Sequence, residues 1–95
     1  MRTTGLLEAK FQARLITFWE GLGWTVVRLL RTSKGGMPDV VLLHPARPTV
    51  FVEVKRAGER PRPVQEYRHQ ELRQLGFDVR VVSPGDWPLA APDWS

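Results

Sequence analysis

The sequence predicts a domain of the α/β class, a mixed α+β sandwich whose elements follow the order α-β-β-β-α-β. Two observations carry this prediction. Two segments place apolar residues at helical spacing, and four short runs rich in β-branched or aromatic residues lie between and after them. A chain of 95 residues has room for one domain, so residues 1–95 are expected to share a single core.

The first helix is predicted over residues 4–22. Its apolar side chains recur on one face of the helix: Leu7, Phe11, Leu15, Phe18, Trp19 and Leu22. Thr3 or Thr4 is suited to the N-cap, and Gly21 or Gly23 is suited to the end of the helix.

Three strands are predicted between the two helices, at residues 24–30, 39–43 and 49–55. A loop containing glycine and proline, residues 31–38, separates the first two strands. The second and third strands are separated only by a short proline-rich turn at residues 45–48, so they are expected to form a hairpin.

The second helix is predicted to begin at Pro63, because proline is favoured in a first helical turn, and to end at Gly76. Its apolar stripe is interpreted as Val64, Tyr67, Leu72 and Leu75. Tyr67 is therefore expected in the core, and His69 is expected in solvent. A last strand is predicted at residues 78–82.

The composition restricts the kinds of site that the chain can build. Cysteine is absent, which excludes disulfides and thiolate metal sites, and two histidines are too few for a typical zinc cage. Any metal must be held mostly by oxygen, which favours Mg²⁺ or Mn²⁺.

The charge favours a polyanionic partner. The net charge is +4, with eleven arginines and three lysines, although simple solubility is an alternative explanation. No apolar stretch approaches the length that spans a membrane, and charges interrupt the N-terminus too early for a secretory signal. A cytoplasmic location is expected. The tail at residues 83–95 is expected to be irregular, either an ordered cap or a contact for a second subunit.

One strand and its neighbour carry the residues with chemical potential. Side chains alternate across a strand, so Glu53 and Lys55 are predicted on one face, with Val52 and Val54 on the core face. Asp39 begins the neighbouring strand, so its carboxylate can lie beside that of Glu53. Two adjacent carboxylates repel each other unless a cation lies between them, and Lys55 could reach a water or a phosphate. This arrangement predicts metal-assisted hydrolysis of a phosphodiester.

A Glu-x-Lys pair alone is common on surface strands, but the surrounding motifs are more specific. The series Gly36-Met37-Pro38-Asp39, then Glu53-Val54-Lys55, then Gln65 resembles the VRR-NUC family of the PD-(D/E)xK nuclease superfamily. The resemblance extends from Glu8 to about Val82. It implies a restriction-endonuclease-like core and a nuclease that uses Mg²⁺ or Mn²⁺.

The resemblance also implies roles for individual residues. Asp39 and Glu53 would be metal ligands, the main-chain carbonyl of Val54 would complete the shell, and Lys55 would act on the water or the phosphate. Gln65 would support the lysine or the metal site, and Glu8 would be an additional acid that reaches a metal or its water. Simpler alternatives are a first-turn acid for Glu8, a turn cap for Asp39 and a surface position for Gln65.

Two basic loops flank the motif corners, where phosphates would arrive. The predicted DNA-binding residues are Arg31, Ser33 and Lys34 in the first loop, and Arg56, Arg60 and Arg62 in the second. Ordinary solvated loop positions are the alternative for each of them.

The predicted function is that of a structure-selective DNA endonuclease that resolves four-way (Holliday) junctions in DNA repair or recombination. Small stand-alone members of the family resemble nucleases that act on branched DNA as homodimers, and a twofold dimer places two sites symmetrically on a junction. A short chain has little room to read base edges, so DNA shape should dominate recognition. The alternatives are a flap- or nick-directed monomeric nuclease, a non-catalytic DNA-binding module of the same fold, and a structural subunit of a larger complex.

Overall fold

The computed structural model describes the chain over residues 2–84, with side chains from residue 9 onward. Its elements are α1 (Arg2–Gly21), β1 (Thr25–Arg28), β2 (Val40–His44), β3 (Arg47–Val54), α2 (Pro63–Gln74) and β4 (Asp78–Val82). The predicted order of elements is confirmed, and each predicted element is present within a few residues of its expected bounds. Of the predicted irregular tail, all but residues 83 and 84 lies outside the described part.

The four strands form one sheet in the order β1-β2-β3-β4. β1 pairs with β2, and β2 with β3, in antiparallel fashion, whereas β3 and β4 are parallel. A parallel pair needs a crossover that returns the chain to its starting end, and α2 provides it. The β2–β3 hairpin turns at Pro45 and Ala46, so β3 begins earlier than the proline-rich turn predicted.

One face of the sheet packs on α1. The core residues on this side are Phe11, Leu15, Trp19, Trp24, Val40, Leu42, Val50, Val52, Val54 and Val82. Val52 and Val54 are fully buried, as the alternation along β3 predicts. Leu22, which was predicted on the apolar stripe of α1, lies one residue beyond the helix and is partly exposed. Because side chains alternate along β3, Phe51 and Glu53, which lie between its buried valines, face away from α1.

The predicted core face of α2 is wrong for three of its four residues, whereas the fourth, Leu72, is buried as predicted. Tyr67 is 63% exposed, and Val64 and Leu75 are also exposed, whereas His69 is buried. The buried residues of α2 are Gln65, His69 and Leu72. The helix covers the sheet face that carries Glu53, so hydrogen-bonding groups rather than apolar groups occupy much of its buried face.

The loop between β1 and β2 is held against the first turn of α2. Gly36 has a φ of +82°, and a Cβ atom there would overlap the carbonyl oxygen of Val64. Only glycine permits this close approach. The Nε atom of Arg68 donates a hydrogen bond of 2.9 Å to the carbonyl oxygen of Gly35. These contacts fix the point where the chain enters β2 at Asp39.

No helix within residues 2–84 is both long enough and apolar enough to cross a membrane.

Candidate active site

Glu53 lies near the end of β3, on the sheet face that α2 covers. Its side chain is 2% exposed, and burial of a carboxylate is costly unless polar groups surround it. Its Oε2 atom accepts a 3.0 Å hydrogen bond from Nε2 of Gln65 and lies 3.6 Å from Nζ of Lys55. Its Oε1 atom lies 3.5 Å from Nε2 of His69. The chain thus surrounds one acidic side chain with three nitrogen-bearing groups.

Asp39 lies immediately before β2 and is anchored through both its backbone and its side chain. Its N–H donates to the carbonyl oxygen of Val52 at 3.0 Å, and its carbonyl oxygen accepts from the N–H of Leu29 at 2.8 Å. Its Oδ2 atom accepts a 2.7 Å hydrogen bond from the N–H of Val54. The structure therefore brings the Asp39 carboxylate to the backbone of the residue between Glu53 and Lys55.

Lys55 directly follows β3, and its backbone N–H donates to the carbonyl oxygen of Val82 on β4 at 2.9 Å. Its side chain is 13% exposed, and its ammonium group lies on the same side of the sheet as Glu53. This is the placement that the two-residue alternation predicts. The ammonium group is close enough to Glu53 for a favourable electrostatic interaction and still reaches the surface.

Gln65 connects the start of α2 to the site. Its Oε1 atom accepts a 2.8 Å hydrogen bond from the backbone N–H of Arg62, and its Nε2 atom donates to Glu53. The first contact is half of a capping box, because the side chain of Arg62 has no acceptor with which to complete it. One amide therefore stabilises the helix start and orients the buried carboxylate.

His69 lies one helical turn after Gln65, and the sequence interpretation missed it. Burial lowers the pKa of His69 below its usual value of 6.5, and the positive charges of Arg73 and Lys55 lower it further. The negative charges of Asp39 and Glu66 act in the opposite direction and are outweighed. Burial and these two positive charges thus favour the neutral form of the imidazole. The signal that could have found it is the spacing of two polar residues, Gln65 and His69, on one face of α2.

The remaining predicted site residues fall into two groups. Glu8 belongs to α1 by its backbone, but its side chain lies outside the described part of the structure. The predicted DNA-binding residues occupy the loops between β1 and β2 and between β3 and α2. They are Arg31, Ser33, Lys34, Arg60 and Arg62, which are exposed, and Arg56, which is half-buried. One loop leads into Asp39 and the other follows Lys55, so both lie at the site's end of the sheet.

The oxygen atoms that could hold a cation come from the carboxylates of Asp39 and Glu53 and the main-chain carbonyl of Val54. Among side chains 9–84, no hydrogen bond reaches the second carboxylate oxygen of Asp39, which leaves it open to a cation. Groups of three or more His, Cys, Asp or Glu that could form a metal cage are absent from the described residues. Two carboxylates without thiolate or imidazole ligands fit Mg²⁺ or Mn²⁺, which retain several waters, better than zinc.

Comparisons with known proteins identify the family and the fold. A family model described as the VRR-NUC domain matches residues 10–84. A relative named "Putative nuclease p44", from Acyrthosiphon pisum secondary endosymbiont phage 1, is 29% identical over 85 residues, which cover 90% of this chain and 91% of that protein. A solved structure of a VRR_NUC domain superposes with a TM-score of 0.73 at 32% identity, covering 80% of this chain and 83% of the other.

The family match includes β2, β3 and α2, the elements that bring Asp39, Glu53 and Gln65 together. The family resemblance drawn from the motifs is confirmed, and so is the fold that it implies. The chain therefore belongs to the VRR-NUC family and is a nuclease.

Proposed function

We propose that this nuclease is a divalent-metal-dependent, structure-selective endonuclease that hydrolyses phosphodiester bonds in DNA. The observation that carries the proposal is the hydrogen bond from the Val54 N–H to Asp39, because it brings a second carboxylate to the Glu53–Lys55 segment. A buried acid, a neighbouring acid and an ammonium group at one end of a sheet form a set suited to a metal-assisted reaction.

Asp39 and Glu53 would hold the cation, with the carbonyl of Val54 and an additional acid, Glu8, from α1. When bound, the cation supplies positive charge that stabilises the charge developing on the phosphate. Gln65 keeps the Glu53 carboxylate in place through its amide N–H. Mg²⁺ or Mn²⁺ is the proposed metal, because every proposed ligand atom is oxygen.

Lys55 is proposed as the group that acts on the attacking water or on the phosphate. Its flexible stem and single positive charge allow its Nζ atom to serve either partner. Its 13% exposure leaves it within reach of a substrate, whereas Glu53 beside it is nearly inaccessible. Glu53, the buried proposed metal ligand, and the more accessible ammonium group of Lys55 thus lie on the same face of β3.

The two basic loops support DNA as the substrate. One leads into Asp39 and the other follows Lys55, and phosphate contacts position DNA without reading its sequence. We propose a four-way junction cut by a homodimer, because a twofold dimer would place two sites symmetrically on such DNA. The proposed location is the cytoplasm of a bacterial or phage-infected cell, which fits the phage origin of the p44 relative.

The substrate is tested by incubating the purified chain with a labelled four-way junction, a flap and a linear duplex of matched sequence. Each is incubated with Mg²⁺, with Mn²⁺ and with chelator, and the mass of the protein in solution is measured in parallel. We expect paired symmetric nicks in the junction, their loss with chelator, and a dimer. Cleavage of the flap by a monomer would favour the flap-directed alternative. Tight binding without cleavage under either metal would favour a non-catalytic DNA-binding module.

A further inference from the structure

The buried polar side chains of the described residues form one cluster. They are Glu53, Gln65 and His69, with relative exposures of 2%, 7% and 2%. Glu53 and Gln65 have roles in the proposed reaction, whereas His69 has none so far. A buried imidazole is costly unless it contacts a polar partner, so its presence beside a buried acid calls for a physical explanation.

Gln65 and His69 approach different oxygens of the same carboxylate. The Gln65 amide donates to Oε2 of Glu53 at 3.0 Å, and Nε2 of His69 lies 3.5 Å from Oε1. The two residues are one helical turn apart on α2, so the rigid helix sets the distance between them. One helix face thus approaches both oxygens of Glu53 from the same side.

The His69 contact is longer than a well-formed hydrogen bond, whose length is about 2.7–3.2 Å. A movement of a few tenths of an ångström would close it, and such contacts in active sites commonly tighten when substrate binds. A carboxylate oxygen only accepts, so the contact is favourable when Nε2 carries the hydrogen. An imidazole with its hydrogen on Nε2 meets that requirement.

We propose that His69 is a positioning residue of the nuclease site, which together with Gln65 holds the Glu53 carboxylate in the orientation that binds the divalent cation. The inference rests on the proposed metal-dependent function. It differs from a packing role, which any apolar side chain of similar size would fulfil. Leu72, the next buried residue of α2, shows that this helix also accommodates an apolar side chain on its buried face.

The test compares His69→Leu, which keeps an apolar volume, with His69→Gln, whose amide nitrogen can approach Glu53 as Nε2 does. His44→Gln is the matched control, because it removes the other histidine, at the far end of β2. Mn²⁺ binding is measured without DNA by electron paramagnetic resonance, kcat and KM are measured with cleavable DNA, and folding is checked by thermal unfolding.

We expect His69→Leu to weaken Mn²⁺ binding and lower kcat by about 10- to 100-fold, with KM for DNA near the wild-type value. His69→Gln should recover most of both losses, and His44→Gln should resemble wild type. If His69→Leu does not fold, the His69→Gln variant carries the test, and loss of Mn²⁺ binding in a folded His69→Gln protein overturns the proposal.

Wild-type Mn²⁺ binding and kcat in His69→Leu would also overturn it, and would leave the proposed function intact. Wild-type protein that neither binds Mn²⁺ nor cleaves DNA would instead refute the metal-dependent function, and this inference with it.

Discussion

The carboxylate of Asp39 accepts a 2.7 Å hydrogen bond from the backbone N–H of Val54. The paired register of β2 and β3 ends at Val40 and Val52, so this side chain extends the contact between the strands beyond their main-chain ladder. One oxygen of Asp39 therefore has a structural role, and within the described residues no hydrogen bond reaches the other, which is the proposed ligand atom.

Asp39→Asn and Asp39→Ala should differ in stability but not in activity. Asparagine keeps an oxygen that can accept from the Val54 N–H, whereas alanine leaves that part-buried donor without its acceptor, which costs about 1–3 kcal/mol. Both remove the charge of a proposed metal ligand, so we expect cleavage to fall by more than about 100-fold. Urea unfolding and cleavage rates measure the two effects, and normal cleavage by Asp39→Asn would contradict the ligand assignment.

Gln65→Leu should reduce both stability and activity. The substitution removes the acceptor of the Arg62 N–H and the donor to Glu53, and we expect the free energy of unfolding to fall by about 2 kcal/mol. The matched control is Gln70→Leu, at an exposed position of the same helix, which should change stability by less than about 0.5 kcal/mol. Equal effects of the two substitutions in urea unfolding would argue against a special role for Gln65.

Gly36→Ala should be more destabilising than Gly58→Ala. Both glycines have positive φ, +82° and +83°, so alanine strains the backbone at each position. At Gly58 nothing lies within 4 Å of the added Cβ, whereas at Gly36 it would overlap the backbone of Val64. We expect an additional loss of about 1–3 kcal/mol at Gly36, measured by thermal or urea unfolding. If the two losses are the same, the loop is not held against α2 as described.

The basic loop before β2 should account for part of the salt dependence of DNA binding. The affinity falls as salt rises, and each lost phosphate contact makes the slope of log affinity against log salt shallower by about 0.9. In the double variant Arg31→Ala/Lys34→Ala the slope should therefore be shallower by about 2. Arg47→Ala is the control, because Arg47 begins β3, about 20 Å along the strand from Glu53. Titrations at several salt concentrations measure the slopes, and an unchanged slope in the double variant would exclude these residues from the DNA interface.

The sequence was sufficient to predict the order of elements and the placement of the strand residues. Alternation along β3 determines which side chains face α1, so the sequence alone assigns Val52 and Val54 to one face and Glu53 and Lys55 to the other. The β2–β3 hairpin is also predictable from the sequence, because two strands joined by a short turn pair in antiparallel fashion. Patterns that depend on local geometry are therefore predictable from the sequence.

The buried face of α2 was not predictable from its apolar residues. Helical spacing selected Leu72 correctly, but it also selected Val64, Tyr67 and Leu75, which are exposed. The helix instead buries Gln65 and His69, whose nitrogens approach the Glu53 carboxylate. The partner of Gln65 is Glu53 on β3, 12 residues earlier in the sequence. Such a contact with another element determines which helix face is buried, and the apolar spacing within α2 does not reveal it. The role of Glu8 stays a prediction, because its side chain lies outside the described part.

We propose that the site formed by Asp39, Glu53 and Lys55 cleaves DNA. The most direct measurement compares the wild-type chain with Lys55→Met, which keeps the length of the side chain without its charge, on a labelled four-way junction with Mg²⁺. The dissociation constant and the cleavage rate are measured on the same DNA. We expect the variant to bind within a few-fold of wild type and to cleave at less than about 1% of its rate. Cleavage by Lys55→Met at the wild-type rate would contradict the assignment of this site.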